Sequence, residues 1–236
     1  MTDSKSIVLA KLSQAIDSAY DLSSRGLPGF PRAEELARYY QRKNREGNNH
    51  EGENREGKNR EGENREREKA IDDLIKWQVM GAGASGLITG LPGITTAALT
   101  IPANLFSVIA IQLRMIEAIA ILRGYDAKSN RGLIIACLAG SAVADVLKKA
   151  GVKIGSKLTA QAIGKISGAM LIKINQSLGF RLLTKAGTAG TVNLTKLIPI
   201  VGGVVSGGFD AGTTHLIARA AKKVFVHIPA EDLPSG

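Results

Sequence analysis

From Trp77 to Leu113 the chain reads WQVMGAGASGLITGLPGITTAALTIPANLFSVIAIQL, without a single Asp, Glu, Lys or Arg, although such residues make up 22% of the protein. Leu91-Pro92-Gly93 divides the run, because proline cannot continue a helical ladder and the following glycine relaxes the turn. This pattern predicts a helical hairpin. The first arm, Trp77 to Gly90, is too short to cross a bilayer, and its Gly83, Gly86 and Gly90 share one helical face that another helix can approach closely. The second arm, Ile94 to Leu113, covers about 30 Å at roughly 1.5 Å per residue, the thickness of a hydrocarbon core. A second apolar run, Leu197 to Ala218, repeats the style with LIPIVGGVVSGGF, Pro199, Gly202-Gly203 and Gly207-Gly208. It carries Asp210, which would cost about 2.5 to 3.5 kcal/mol at a bilayer centre.

The flanking pattern is amphipathic and helical. Ile7 to Ser24 sets Val8, Leu12, Ala15, Ile16 and Ala19 on one stripe, ended by Gly26-Leu27-Pro28-Gly29. Pro31 to Lys43 predicts a second helix, with Pro31 in its first turn and Leu36, Tyr39 and Tyr40 on one side. Glu68 to Lys76 opens a helix that runs into the first arm. Beyond the hairpin, Arg114 and Glu117 stand three apart and can pair, and the helix closes at Gly124. Ser129 to Leu147 predicts one apolar helix containing Cys137, Gly140 and Asp145. Strand-type alternation is nearly absent. The expected fold is therefore all-α: a compact multi-helix domain with two Gly-rich apolar helical hairpins and a disordered repeat insert.

The insert is a tandem pentapeptide, KNREG, NNHEG, ENREG, KNREG, ENRER, from Lys43 to Arg67. It has no large apolar residue with which to offset the entropy of ordering. Four segments follow: N-terminal amphipathic helices (1–43), a disordered linker (44–67), a helical domain (68–228) and a flexible tail (229–236). An RNA-binding role for the repeat is disfavoured, since glutamate matches arginine and no aromatics interleave.

Charge sharpens the picture. The net +10 is concentrated between Lys148 and Lys196, where nine basic residues occur with no Asp or Glu. Such a segment suits an anionic surface, with Lys149, Lys153, Lys157, Lys165 and Lys173 as anionic-lipid candidates. Glycines at 151, 155, 164, 168 and 179 divide it into shorter helices. The membrane-contact candidates are Trp77, Leu99, Ile101, Leu105, Phe106, Ile109 and Tyr125, of which Trp77 and Tyr125 bracket the hairpin where interfacial aromatics sit. Apolar gain in the second arm is offset by Thr95, Thr96, Thr100, Asn104, Ser107 and Gln112. Spanning, peripheral contact and a buried core thus all stay open. A polar-core set, Arg114, Glu117, Asn175, Arg181, Asp210 and Arg219, could supply Asp210 with an arginine partner from Arg114, Arg181 or Arg219.

Candidate chemistry is sparse. Gly81-Ala82-Gly83-Ala84-Ser85-Gly86 fits G-x-G-x-x-G, but no strand precedes it and no acidic residue follows until Glu117, so dinucleotide binding is not expected. GVKIGSK at 151–157 lacks the G-K-[ST] ending of a phosphate loop. The three histidines and the lone Cys137 are scattered, so no metal site, cofactor or catalytic residue is assigned. Cys137 reads as a small buried hydrophobe. The N-terminus has no long apolar stretch before its charges, which predicts a cytoplasmic protein that meets a membrane from inside.

Several stretches together resemble the EcsC family: Ala33-Glu-Glu-Leu-Ala37, Ile75-Lys-Trp-Gln78, Gly90-Leu-Pro-Gly93, Ile101-Pro-Ala-Asn-Leu105, Gln112-Leu-Arg114 and Gly124-Tyr-Asp126, then Cys137-Leu-Ala-Gly140, Ile174-Asn175, the segment Gly179 to Gly187, and Asn193 to Gly203 followed by Asp210. The pentapeptide tract departs from the family's pattern. The resemblance implies an association with an ABC transporter, beside whose subunits the family's namesake is encoded, and implies no catalytic residues. The expected function is non-enzymatic docking on the inner membrane face, with anionic lipid or a membrane protein complex as partner. Two alternatives stay open: a membrane-permeabilising effector using both hairpins, and a soluble enzyme or ligand-binding domain with a buried Arg/Glu/Asp site.

Overall fold

The computed structural model describes residues 2–49, 60–83, 103–151, 169–174, 176–178 and 203–226. Its helices are α1 (Thr2–Arg25), α2 (Ala33–Asn49), α3 (Arg60–Gly83), α4 (Ala103–Leu122), α5 (Arg131–Cys137), α6 (Val143–Lys149) and α7 (Gly203–Val224). A 3₁₀ turn, Gly140–Ala142, separates α5 from α6, and residues 169–174 and 176–178 are also helical. No strand occurs among the described residues, where an isolated bridge joins Leu27 to Phe30. The all-α expectation holds.

The fold is built round α4, which packs against α1, α2, α3, α5 and α7. Leu113, Met115, Ile116, Ala118, Ile119 and Ala120 are all buried, so protein covers this helix on every side, the setting that allows apolar residues all round. The second arm was expected over Ile94 to Leu113. The helix found runs to Leu122 with Arg114 and Glu117 in its interior, in line with the expected close at Gly124. The expected break at Leu91-Pro92-Gly93 and the rest of that hairpin lie outside the described residues, as does the part of the second run before Gly203.

Cross-helix bonds fix the direction of the three central helices. Glu68 of α3 meets Arg123 just beyond α4 at 2.6 Å, and Gln78, farther along α3, accepts from Arg114 at 3.0 Å. Lys222 of α7 meets Asp72 at 2.7 Å, while Gln112 of α4 donates to Thr214 of α7 at 3.1 Å. Hence α4 and α7 run parallel to each other and antiparallel to α3. The C-terminal end of α3 and the N-terminal ends of α4 and α7 lie at one end of the bundle. Tyr125 against Phe225, with ring centroids 5.0 Å apart, marks the other.

α1 buries Leu12, Ala15, Ile16 and Ala19, the expected stripe, and packs chiefly on α4. On α2 the buried stripe is Ala33, Leu36, Ala37 and Tyr40; Tyr39, expected beside them, is exposed and meets Tyr40 only edge to face. The turn between α1 and α2 closes with reciprocal Leu27 and Phe30 backbone bonds of 2.9 and 2.8 Å. Gly26 there has φ +71°, and a Cβ on it would fall 2.7 Å from Arg32 Cγ. A side chain at this position would strain the turn and displace Arg32.

Two expectations about continuity are corrected. The single helix from Ser129 to Leu147 is broken at Gly140, whose φ of +57° cannot continue a right-handed helix. α7 crosses there, with Leu216 Cβ 3.7 Å from where a Gly140 Cβ would stand. The repeat tract, expected disordered over 44–67, is helical at both described flanks, since 44–49 continue α2 and 60–67 open α3. The repeat sets arginine and glutamate four apart, as in Glu61 with Arg65 at 3.7 Å, a spacing that supports a helix already anchored by a core. Asn44 is buried and its amide donates to the Tyr40 carbonyl at 3.1 Å. Residues 50–59 lie outside the described residues.

Candidate functional site

Polar residues on the central helix do not converge on one another. Arg114 lies flat over Phe30, with its guanidinium carbon 3.9 Å from the ring centroid, and donates to Gln78. Burial pulls its pKa down to about 10, so it stays cationic at neutral pH. Its Nε is buried and has no hydrogen-bond partner among the described residues. Glu117 turns the other way, toward α1, where it accepts from Ser23 Oγ at 2.6 Å and Ser24 Oγ at 2.8 Å. The pairing expected between Arg114 and Glu117 is therefore not formed; each has found a neutral partner from another helix.

One of the Glu117 contacts is shared. Ser23 Oγ also lies 2.8 Å from the Tyr20 carbonyl, so one hydroxyl hydrogen faces two acceptors. The Glu117 carboxyl and the Tyr20 carbonyl therefore compete for that hydrogen. Burial raises the Glu117 pKa above its ordinary value, against the lowering effect of the two hydroxyls.

Beside this cluster is an open cleft of about 540 Å³ lined by Tyr20, Asp21, Ser24, Arg25, Arg32, Lys128 and Arg131. Three segments build it: the last turns of α1, the residue preceding α2, and the α4–α5 connection with the first residue of α5. Arg131 is its most tightly held lining residue. The guanidinium stacks over Tyr20, 4.6 Å from the ring centroid, and is held by Asp17 at 2.9 Å and Asp21 at 3.3 Å. Tyr20 donates to the Ala127 carbonyl at 3.0 Å, and burial, followed by the charge of Glu117, pushes its pKa up to about 12. Arg32 is held by Glu35 at 2.8 Å. Among the described residues no carboxylate lies within ion-pair distance of Arg25 or Lys128.

At the end of the bundle where α3 stops and α4 and α7 begin, the surface is different. Trp77 is 51% exposed and Met80, one turn on, is 57% exposed. Lys43 from α2 places its ammonium 5.9 Å from the Trp77 ring centroid, and Lys76 is exposed next to it. The two charge-poor, glycine-rich tracts join the described helices at this same end, at Gly83, Ala103 and Gly203.

Of the membrane-contact candidates, Trp77 is thus exposed. Phe106, Ile109 and Tyr125 are buried between helices, so in this arrangement protein covers them. Leu99, Ile101 and the side chain of Leu105 lie outside the described residues. Lys149 and Lys173 are exposed; Lys153, Lys157 and Lys165 lie outside. In the polar-core set Arg219 is exposed, Asp210 belongs to α7 with its side chain outside the description, and Asn175 and Arg181 lie outside. Among the described residues no helix is long and apolar enough to cross a membrane, and no cluster of His, Cys, Asp and Glu could hold a metal. The cleft residues were missed because they come from three segments far apart in sequence; the trace left in sequence is the Ser23-Ser24-Arg25 run closing an amphipathic helix.

No curated protein and no solved structure matches this sequence. The model of the EcsC protein family matches residues 32–226, which covers α2 to α7 and begins at Arg32, the residue preceding α2. The chain belongs to the EcsC protein family.

Proposed function

We propose that this protein is a non-enzymatic helical module that docks on the inner face of a membrane through the end of the bundle bearing Trp77 and Met80. One observation carries the reading: both glycine-rich tracts join the described helices at that end, where two large apolar side chains stand exposed beside Lys43 and Lys76. Tryptophan with flanking lysines suits the headgroup layer, since the indole is amphipathic and the ammonium groups meet anionic lipid. The lysines of the 148–196 segment would add electrostatic attraction, each worth about 1 kcal/mol near an anionic surface. On this reading the protein serves a membrane complex such as an ABC exporter.

Flotation with vesicles of phosphatidylcholine and phosphatidylglycerol tests it. The protein is expected to float with anionic vesicles at low salt, to stay at the bottom with neutral ones, and to lose binding in the Trp77→Ser/Met80→Ser variant. Failure to float at low salt would sink the proposal. Dye release from the same vesicles would separate insertion of the tracts from surface docking.

A further inference from the structure

We propose that the cleft between α1 and the α4–α5 connection binds a phosphate monoester or pyrophosphate group, carried by a water-soluble molecule. Its walls hold four cations, Arg25, Arg32, Lys128 and Arg131, against one carboxylate, Asp21. The acids outside the walls have fixed partners. Asp17 holds Arg131 and Glu35 holds Arg32, while Asp126, whose charge faces Lys128, accepts the Ser129 backbone N–H at 2.7 Å. Glu117 lies behind Ser24 and is taken up by the two serine hydroxyls. That leaves Arg25 and Lys128, both lining the cleft, without a carboxylate within ion-pair distance among the described residues. A phosphate dianion, with three acceptor oxygens, can bridge such a pair, which a single carboxylate inside the fold does not.

Arg131 supplies a rigid base. Stacked on Tyr20 and gripped by two carboxylates, it cannot swing away, and the tyrosine ring beneath it is itself tied to Ala127. Its charge is already met by Asp17 and Asp21, so Arg131 shapes the cleft, and the attraction for an anion comes from Arg25 and Lys128. The volume of about 540 Å³ falls within the roughly 300 to 1,000 Å³ typical of small-molecule sites, so the phosphate can bring a body with it.

Position argues for a soluble carrier. The cleft lies past the middle of α4, toward its C-terminal end. The tracts proposed to meet lipid join at the N-terminal end, and a helix of this length spans about 30 Å. The inference therefore stands apart from the membrane reading and does not fail with it.

Isothermal titration of the full chain with pyrophosphate and with glycerol 3-phosphate is the test, alongside flotation with phosphatidate-containing vesicles. Pyrophosphate is expected to bind at low salt, more weakly as salt rises, and about tenfold or more weaker in Arg25→Ala/Lys128→Ala, whereas Lys149→Ala leaves it unchanged. Both substituted residues are exposed, so the variants should fold; Lys128→Glu alone provides a second reading, and an unchanged melting temperature is the control. Phosphatidate vesicles that bind, and that pyrophosphate displaces, would support the site but transfer it to a lipid headgroup. No heat of binding with either soluble probe, or a double variant that binds like the parent, overturns the proposal.

Discussion

The two ends of the helical bundle solve opposite problems. At one, Tyr125 packs edge-on against Phe225, Arg123 is closed over by Glu68, and Lys222 bridges Glu68 and Asp72. Every element there is tied to another by charge or ring contact. At the other, helices α3, α4 and α7 terminate together, and Trp77 and Met80 are left in solvent. Among the described residues the tied end exposes Val226 beside Phe225, whereas Trp77 and Met80 stand together at the other, and it is this pair that the proposed docking uses.

The largest effect should come from the centre that both ends share. Ile116→Ala removes a fully buried side chain from α4 and is expected to cost about 2 to 5 kcal/mol by chemical denaturation. Next is the tied end. Arg123→Ala should cost about 1 to 3 kcal/mol, less than a fully buried pair would, because Glu68 is partly exposed and keeps Lys222 at 3.3 Å. At the open end, Trp77→Ser/Met80→Ser should change stability by no more than about 0.5 kcal/mol, as exposed positions do, while abolishing flotation. If that variant instead unfolds the protein, the contrast between the ends is wrong.

Glu117 gives the smallest and most diagnostic effect, a change of slope. Its pKa is raised by burial above an ordinary value of about 4.5. Below that value both folded and unfolded chains hold the proton, so there is no contribution. As pH climbs from there through the folded pKa, the unfolded chain gives up its proton first and stability falls. The difference in unfolding free energy between parent and Glu117→Gln is therefore expected to decline with rising pH across this window. A flat difference would mean that Ser23 and Ser24 stabilise the ionised carboxylate fully.

Much of the architecture was legible in the residues. The charge-free run and the amphipathic stripe of α1 announced helices, and the family resemblance spanned nearly the same stretch that the family model matches. What escaped was set by tertiary contact. Arg114 and Glu117 share a helix at pairing distance, yet Phe30 with Gln78 and Ser23 with Ser24 captured them separately, and those partners lie far off in sequence. Gly140 was placed inside one unbroken helix, whereas it takes a positive φ where α7 crosses. The repeat tract was counted as balanced charge, when its Arg and Glu spacing also suits a helix borrowed from its neighbours. The cleft gathers residues between positions 20 and 131, a distance that no local pattern bridges.

The lone thiol has a practical consequence. Cys137 is completely enclosed in α5, and burial holds its proton firmly. It should ignore alkylating reagents until α5 breathes open. The pace of its modification then becomes a stopwatch for how often the interior parts company, readable on the intact chain.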